Sequence, residues 1–253
     1  VLLGNMGRGG KSVFALDVTD PANFSATNVL WELPTTDADL GLASGRVEVM
    51  YGEDGRWYAV FANGLNSTNS NPGLFIVNLS TGSVTRKIMA DDGGDFANGL
   101  VRIALADTNA NGRVDAVYGG DYQGNLWKFN LAANNATAWN VAFGGLPLFR
   151  ATDVDDNPQP ITGGVSASNG PSGGVMVHFG TGSYLTDTDA VAGGPVQRQT
   201  FYGVWDRPGG SGEISRSRLQ QQTITGQFGT APDLGRTISN NRGDSRSGPS
   251  GKD

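Results

Sequence analysis

The 253-residue chain has no cysteine, a single histidine and only four glutamates among its 24 acidic residues. Without cysteine there is no disulfide, no thiolate metal site and no cysteine nucleophile. The compartment stays open on that count, since a reduced protein and an exported one large enough to need no staple look alike. One histidine, His178, excludes a multi-histidine metal site and most histidine-based catalysis. Positive charge is also short: 18 Lys and Arg leave a net charge of −6 and a pI near 4.7, so nucleic acid is a poor partner. No apolar run approaches the ~18–20 residues of a membrane helix, and no membrane insertion is expected of this segment. The start, Val1-Leu2-Leu3-Gly4, has no charged leader and reads as the middle of a strand, so the chain is expected to be cut from something longer.

What is abundant is glycine. Its 39 residues are about 15% of the chain, roughly double the usual share. Aspartate supplies nearly all the acid, and asparagine is common. Long helices favour Glu, Lys, Ala and Leu, whereas Asp, Asn and Gly favour turns. A helical bundle is excluded, a dinucleotide-binding α/β fold is disfavoured, and many short strands joined by turns are expected.

One pattern recurs four times: a short apolar strand ending in Gly or Asn, a polar loop, then a strand rich in aromatic and β-branched residues. The second strands are Val13-Phe-Ala-Leu-Asp-Val18, Leu74-Phe-Ile-Val-Asn-Leu79, Leu126-Trp-Lys-Phe-Asn-Leu131 and Phe201-Tyr-Gly-Val-Trp-Asp206. Ahead of copies two to four lies another strand candidate: Gly45 to Met50, Leu100 to Ala106 and Ile161 to Ser166. Each unit then supplies three or four antiparallel strands, the content of a propeller blade, and so small a sheet must stack on neighbours to bury both faces. The fold expected is an all-β propeller of roughly four to five blades over residues 1–228, with a plain sandwich as the alternative. Thr35 to Ala43 and Leu131 to Trp139 read as short helices or irregular connections, and 229–253 as a flexible tail.

The sharpest site candidate is Asp107-Thr-Asn109-Ala-Asn111-Gly112-Arg113-Val-Asp115. Side-chain oxygens fall at positions one, three, five and nine, Gly at six permits a sharp bend, and the Arg113 carbonyl is available at seven. That is the start of an EF-hand-type calcium loop, in which a hard cation collects six or seven oxygens from alternate residues. Position twelve is Tyr118, already in the next strand, so Asp115 would close the site within a β-hairpin. Two carboxylates and two amides make a modest site, with an expected Kd on the order of 10⁻⁵ to 10⁻³ M. The alternative is an Asn-Gly hairpin turn with solvated carboxylates.

Other candidates are weaker. Gly4 to Ser12 imitates a phosphate loop, but Asn5 replaces the required glycine and a strand follows Lys11-Ser12 instead of a helix. Asp153 with Asp155, Asp156 and Asn157 reads as a hairpin turn, Asp187 and Asp189 as loop residues, and Asp91, Asp92 and Asp95 as a solvated loop. His178 is expected to be a packed histidine. Arg242-Gly243-Asp244 is an integrin-type tripeptide of the kind low-complexity tails produce freely.

With those residues in view, the chain resembles the C-terminal β-propeller of the PilY/PilC family of type IV pilus tip adhesins and biogenesis factors. The residues that carry the likeness are Gly7-Arg-Gly-Gly-Lys11 leading into Phe14 through Pro21, Asn63-Gly64, and Asn66-Ser-Thr68 before Leu74. Further along they are Asp115 through Phe129, Phe179-Gly-Thr-Gly-Ser-Tyr184 and Gln199 through Asp206, so that the likeness runs from about residue 1 to 227. It implies that calcium is held by Asp107, Asn109, Asn111, the Arg113 carbonyl and Asp115. It also implies an exported protein of the bacterial surface, outer membrane or pilus tip, with an N-terminal module that this chain lacks. Its partners would be pilus components, major or minor pilins, and a host-cell receptor. Its roles would be control of pilus extension, retraction and twitching, and adhesion. Both ends of the propeller are expected to be missing here. A quinoprotein-like propeller enzyme is the main rival, disfavoured by the lack of cysteine and by a calcium loop placed in a hairpin. A carbohydrate-binding adhesin is the third possibility.

Overall fold

A computed structural model describes residues 1–91, 97–185, 197–230 and 233–241. Asp92, Asp95, Asp187, Asp189 and the Arg242-Gly243-Asp244 tripeptide lie outside the described residues. The chain divides into two units, Val1–Ile214 and Ser215–Asp253.

Among the described residues, the first unit holds four antiparallel sheets in chain order. The first consists of β1 (Leu2–Asn5), β2 (Val13–Leu16) and β3 (Val29–Glu32). The second is a four-stranded meander of β4 (Glu48–Tyr51), β5 (Trp57–Ala62), β6 (Gly73–Asn78) and β7 (Val84–Met89). The third runs β8 (Leu100–Ala106), β9 (Ala116–Asp121), β10 (Asn125–Asn130), β11 (Asn140–Val141), with β12 (Phe149–Arg150) also pairing with β10. The fourth is β13 (Val165–Asn169), β14 (Val175–Gly180) and β15 (Phe201–Asp206). In the second unit β16 (Ile224–Phe228) pairs with β17 (Gly235–Ile238), so part of the stretch expected as a tail is strand.

Successive sheets bury their faces on each other, which is why the central strands are apolar on both sides rather than alternating with polar residues. In β5, Ala59 and Phe61 join the core shared with Val13, Ala15 and Trp31 of the first sheet. The intervening Tyr58, Val60 and Ala62 join the core shared with Leu100, Val117 and Trp127 of the third. The period of two thus sorts one strand's side chains between two interfaces. Phe61 and Phe75, opposite one another on β5 and β6, stack with centroids 5.3 Å apart. The third and fourth sheets are tied by Asp206, buried, which accepts from Tyr118 Oη and pairs with Lys128 Nζ, both at 2.6 Å.

The stretch between Thr35 and Ala43 is an irregular connection. Its end is stitched to the second sheet by Gly41 N donating to the Asn63 carbonyl and Leu42 N to that of Leu65. Its acidic side chains reach the edge strand: Lys87 on β7 pairs with Asp39 at 2.6 Å and Asp37 at 3.0 Å. The Lys87 hydrogen bond holds the Asp39 carboxyl below its ordinary pKa, against the opposing effect of burial. A depressed folded-state pKa gives stability that is present above the unfolded value and lost as pH falls through the folded one. Lys87→Met is therefore expected to cost about 0.5–1 kcal/mol at neutral pH, discounted for solvent screening. Urea midpoints of wild type and variant should converge once the pH drops below the Asp39 titration; a gap that persists there would assign the loss to packing over Phe75 instead.

Candidate metal centre

The loop from Asp107 to Asp115 joins β8 to β9, and the hairpin frame is set by Asp115 N donating to the Ala106 carbonyl at 3.1 Å. The loop itself is wound by side chain to backbone bonds. Asn111 N is shared between Asp107 Oδ1 and Asn109 Oδ1, both at 3.1 Å. Gly112 N reaches Asp107 Oδ2 at 2.7 Å, and Arg113 N reaches Asn111 Oδ1 at 2.8 Å. Such bonds are what Asp and Asn offer a tight turn. Two residues turn left-handed to allow it, Ala110 at φ 60° and Gly112 at φ 81°; the cost falls on alanine, since glycine has no Cβ to clash.

Asp115 closes the loop. Its side chain is 4% exposed, and both carboxylate oxygens accept Thr108 N, at 3.0 and 3.1 Å, while Thr108 Oγ1 adds a bond of 2.8 Å. All five positions expected to act together, Asp107, Asn109, Asn111, Arg113 and Asp115, therefore lie on one wound turn. Among the described residues no three His, Cys, Asp or Glu side chains form a group that could hold a metal. A cation here would rest on two carboxylates plus amide and carbonyl oxygens. That set of hard, neutral-rich donors fits a calcium-type ion and not a transition metal, which would want imidazole or thiolate.

Two further carboxylates stand out in the structure. Glu53, in the turn between β4 and β5, accepts from Asn111 Nδ2 at 2.9 Å and Asn109 Nδ2 at 3.2 Å, and its backbone carbonyl accepts from the Arg113 guanidinium at 2.8 Å. Asp121, at the end of β9, is fully buried and accepts from Trp127 Nε1 (2.7 Å), Asn125 N (2.8 Å), and the amides of Asn98 and Asn125 (both 2.9 Å). Burial pushes its pKa up while those donors oppose the shift, so it is a packing knot under the β9–β10 turn.

The remaining candidates separate from the loop. Asp153 sits in an exposed turn, its pKa held down to about 2 by the Gln197 amide and by backbone N–H groups of Asn157 and Asp155. His178 lies half-buried on β14, its ring stacked at 6.3 Å on the largely exposed Phe201, so it is packed on one face only. Lys11-Ser12 lead directly into β2, which removes the phosphate-loop alternative.

Stacked antiparallel meanders, with a wound acidic-amide loop at one hairpin, define a non-helical propeller module carrying a candidate cation site. Comparison with known proteins narrows the class. The profile of the "PilY1 beta-propeller domain" matches residues 1–231. A "Type IV pilus biogenesis factor PilY1 homolog" of Xylella fastidiosa (strain Temecula1) is 42% identical over 250 residues, covering 92% of this chain and 17% of that protein. The "Type IV pilus biogenesis factor PilY1" of Pseudomonas aeruginosa (strain PAO1) is 38% identical over 248 residues, covering 88% of this chain and 21% of that protein. The crystal structure of the Pseudomonas aeruginosa PilY1 C-terminal domain superposes with a TM-score of 0.85 at 35% identity, over 95% of this chain and 54% of that one. The chain belongs to the PilY1 β-propeller family, and it spans about a fifth of the length of the curated relatives it matches.

Proposed function

We propose that this chain is the calcium-binding propeller of a type IV pilus biogenesis factor, exported to the bacterial surface or pilus tip. In this reading it acts without catalysis, controlling pilus extension and retraction and, through them, twitching motility and adhesion. The observation that carries the calcium half is the Asp107–Asp115 loop, whose oxygens are gathered by the loop's own amides around a turn that needs Gly112. The pilus half is supported by the relatives, which are biogenesis factors by name, and makes pilus components, the major or minor pilins, the expected partners, with a host-cell receptor beyond them. Calcium when bound neutralises Asp107 and Asp115 and fixes the loop.

The test uses the full-length protein in a piliated strain whose own copy has been deleted. Complementation with wild type is expected to restore surface pili and calcium-dependent twitching. Asp115→Ala is expected to leave the amount of protein unchanged while twitching loses its response to external calcium. An unchanged calcium response in the variant would contradict the reading. A stable chromophore after incubation with a quinone cofactor and calcium would do so as well, by pointing to a redox enzyme.

A further inference from the structure

The candidate loop belongs to the third sheet, yet its amide side chains are oriented by the second. Asn109 and Asn111 each present Nδ2 to one oxygen, Oε1 of Glu53, at 3.2 and 2.9 Å. An asparagine that donates through Nδ2 on one side turns Oδ1 to the other, and here both Oδ1 atoms face the loop's interior backbone, at Asn111 N and Arg113 N. A carboxylate behind two amide ligands is the arrangement by which outer partners orient metal ligands and raise their basicity.

The turn that carries Glu53 is itself firm. Tyr58 Oη donates to Asp54 Oδ2 at 2.5 Å, Gly52 N donates to the Arg56 carbonyl at 2.9 Å, and Gly55 N to that of Gly52 at 2.9 Å. Burial and the Asp54 carboxylate push the Tyr58 pKa up to about 12, so this phenol stays a donor throughout the physiological range. The loop also grips that turn from below. Val114 N donates to the Tyr51 carbonyl at 2.9 Å, and Gly52 and Val114 form a parallel bridge. The Arg113 guanidinium lies 5.2 Å over the Tyr51 ring, which packs 4.9 Å from Trp57.

The geometry points to Glu53 as a positioning residue of the cation site, supplied by the neighbouring sheet, so that occupancy of the loop clamps the second sheet to the third. This inference rests on the calcium reading above. Before a cation binds, Asn109 and Asn111 are held by hydrogen bonds alone, Nδ2 to Glu53 and backbone N–H to Oδ1, beside the Arg113 and Val114 contacts. With one, the amide oxygens are fixed, their Nδ2 groups are fixed with them, and Glu53 is drawn into the same rigid unit. Sequence spacing could not show this, because Glu53 and Asn111 stand 58 residues apart.

The experiment compares the 253-residue chain as wild type, Glu53→Ala, Glu53→Gln and Asp115→Ala. Calcium affinity is read by titration, and amide hydrogen exchange is read over residues 50–56 and 113–115, with thermal unfolding in EDTA to confirm that each variant is folded. Glu53→Ala is expected to weaken calcium about 10–100-fold, the usual cost of removing an outer partner. It should also lose the calcium-dependent protection of the 50–56 segment that wild type shows. Glu53→Gln keeps an acceptor oxygen without the charge and should fall between the two, with protection retained. If Glu53→Ala does not fold, the exchange pattern of Glu53→Gln carries the comparison. Wild-type affinity in Glu53→Ala, with binding absent in Asp115→Ala, would overturn the role of Glu53 and leave the calcium loop standing. Equal losses in the Ala and Gln variants would overturn positioning in favour of bare charge. Absence of binding in wild type would overturn both.

Discussion

Asn63→Ala is expected to lower the stability of the Val1–Ile214 unit by about 3–5 kcal/mol. The side chain is fully buried and makes four bonds. Its Nδ2 donates to the carbonyls of Asp39 and Asn71, both at 2.9 Å, and its Oδ1 accepts Gly73 N at 2.9 Å and Leu100 N at 3.0 Å. Those partners lie on the irregular 35–43 connection, on the turn into β6, and on the first residue of β8. One side chain thus joins two segments of the second sheet to the start of the third, beside Gly64, whose own N–H reaches the Leu100 carbonyl at 2.8 Å. Alanine would leave two N–H groups without partners in a dry interior, each costing about 1–3 kcal/mol, and two carbonyls reduced to fewer. For a unit of this size the melting temperature should drop by roughly 8–15 °C. A drop under ~2 °C, on the scale set by the same size relation, would mean that water replaces the amide and that the four bonds are not cooperative.

Asp115→Ala is expected to abolish calcium binding while sparing the strands around it. The backbone frame survives, because Asp115 N still reaches Ala106 and the Asp115 carbonyl still accepts Leu131 N at 2.8 Å. What disappears is one of two formal charges in the loop and the acceptor that holds Thr108 by both its N–H and its hydroxyl. With only Asp107 left as a carboxylate, the donor set falls below what a hard dication needs to shed its water. The loop should then open locally at Thr108, whose N–H and hydroxyl lose the carboxylate that closes the loop. Arg113 offers trypsin a cleavage site within it. In wild type, calcium should slow cutting after Arg113 and EGTA should restore it; the variant should be cut quickly under both conditions. Equal, slow cleavage of the variant would show that the loop is rigid without its closing carboxylate.

The contrast between what the residues announced and what only the fold reveals follows from distance along the chain. Strands β8 and β15 were legible to the residue, because each is an apolar or aromatic run closed by Asp. β7 was missed: Val84-Thr-Arg-Lys-Ile-Met is an edge strand with one face wet, and its polar residues resemble a loop. β3 was missed for the same reason, with only Trp31 of its four residues buried. The strand expected at Gly45 to Met50 begins at Glu48, since Gly45 instead packs under the Val101 carbonyl, where a Cβ would clash. The candidate site was legible because all its expected ligands lie within one short turn and their spacing is a local property. Glu53 and Asn63 were not, because their partners come from other sheets. Nothing in Gly52-Glu53-Asp54-Gly55 distinguishes a carboxylate that orients two distant amides from one that faces water.

The most direct test of the account is a calcium titration of the chelator-stripped 253-residue chain, followed calorimetrically, beside Asp115→Ala. The expected result is one site in wild type with a Kd on the order of 10⁻⁵ to 10⁻³ M, and no saturable heat in the variant. Indistinguishable isotherms, whether both binding or both silent, would contradict it.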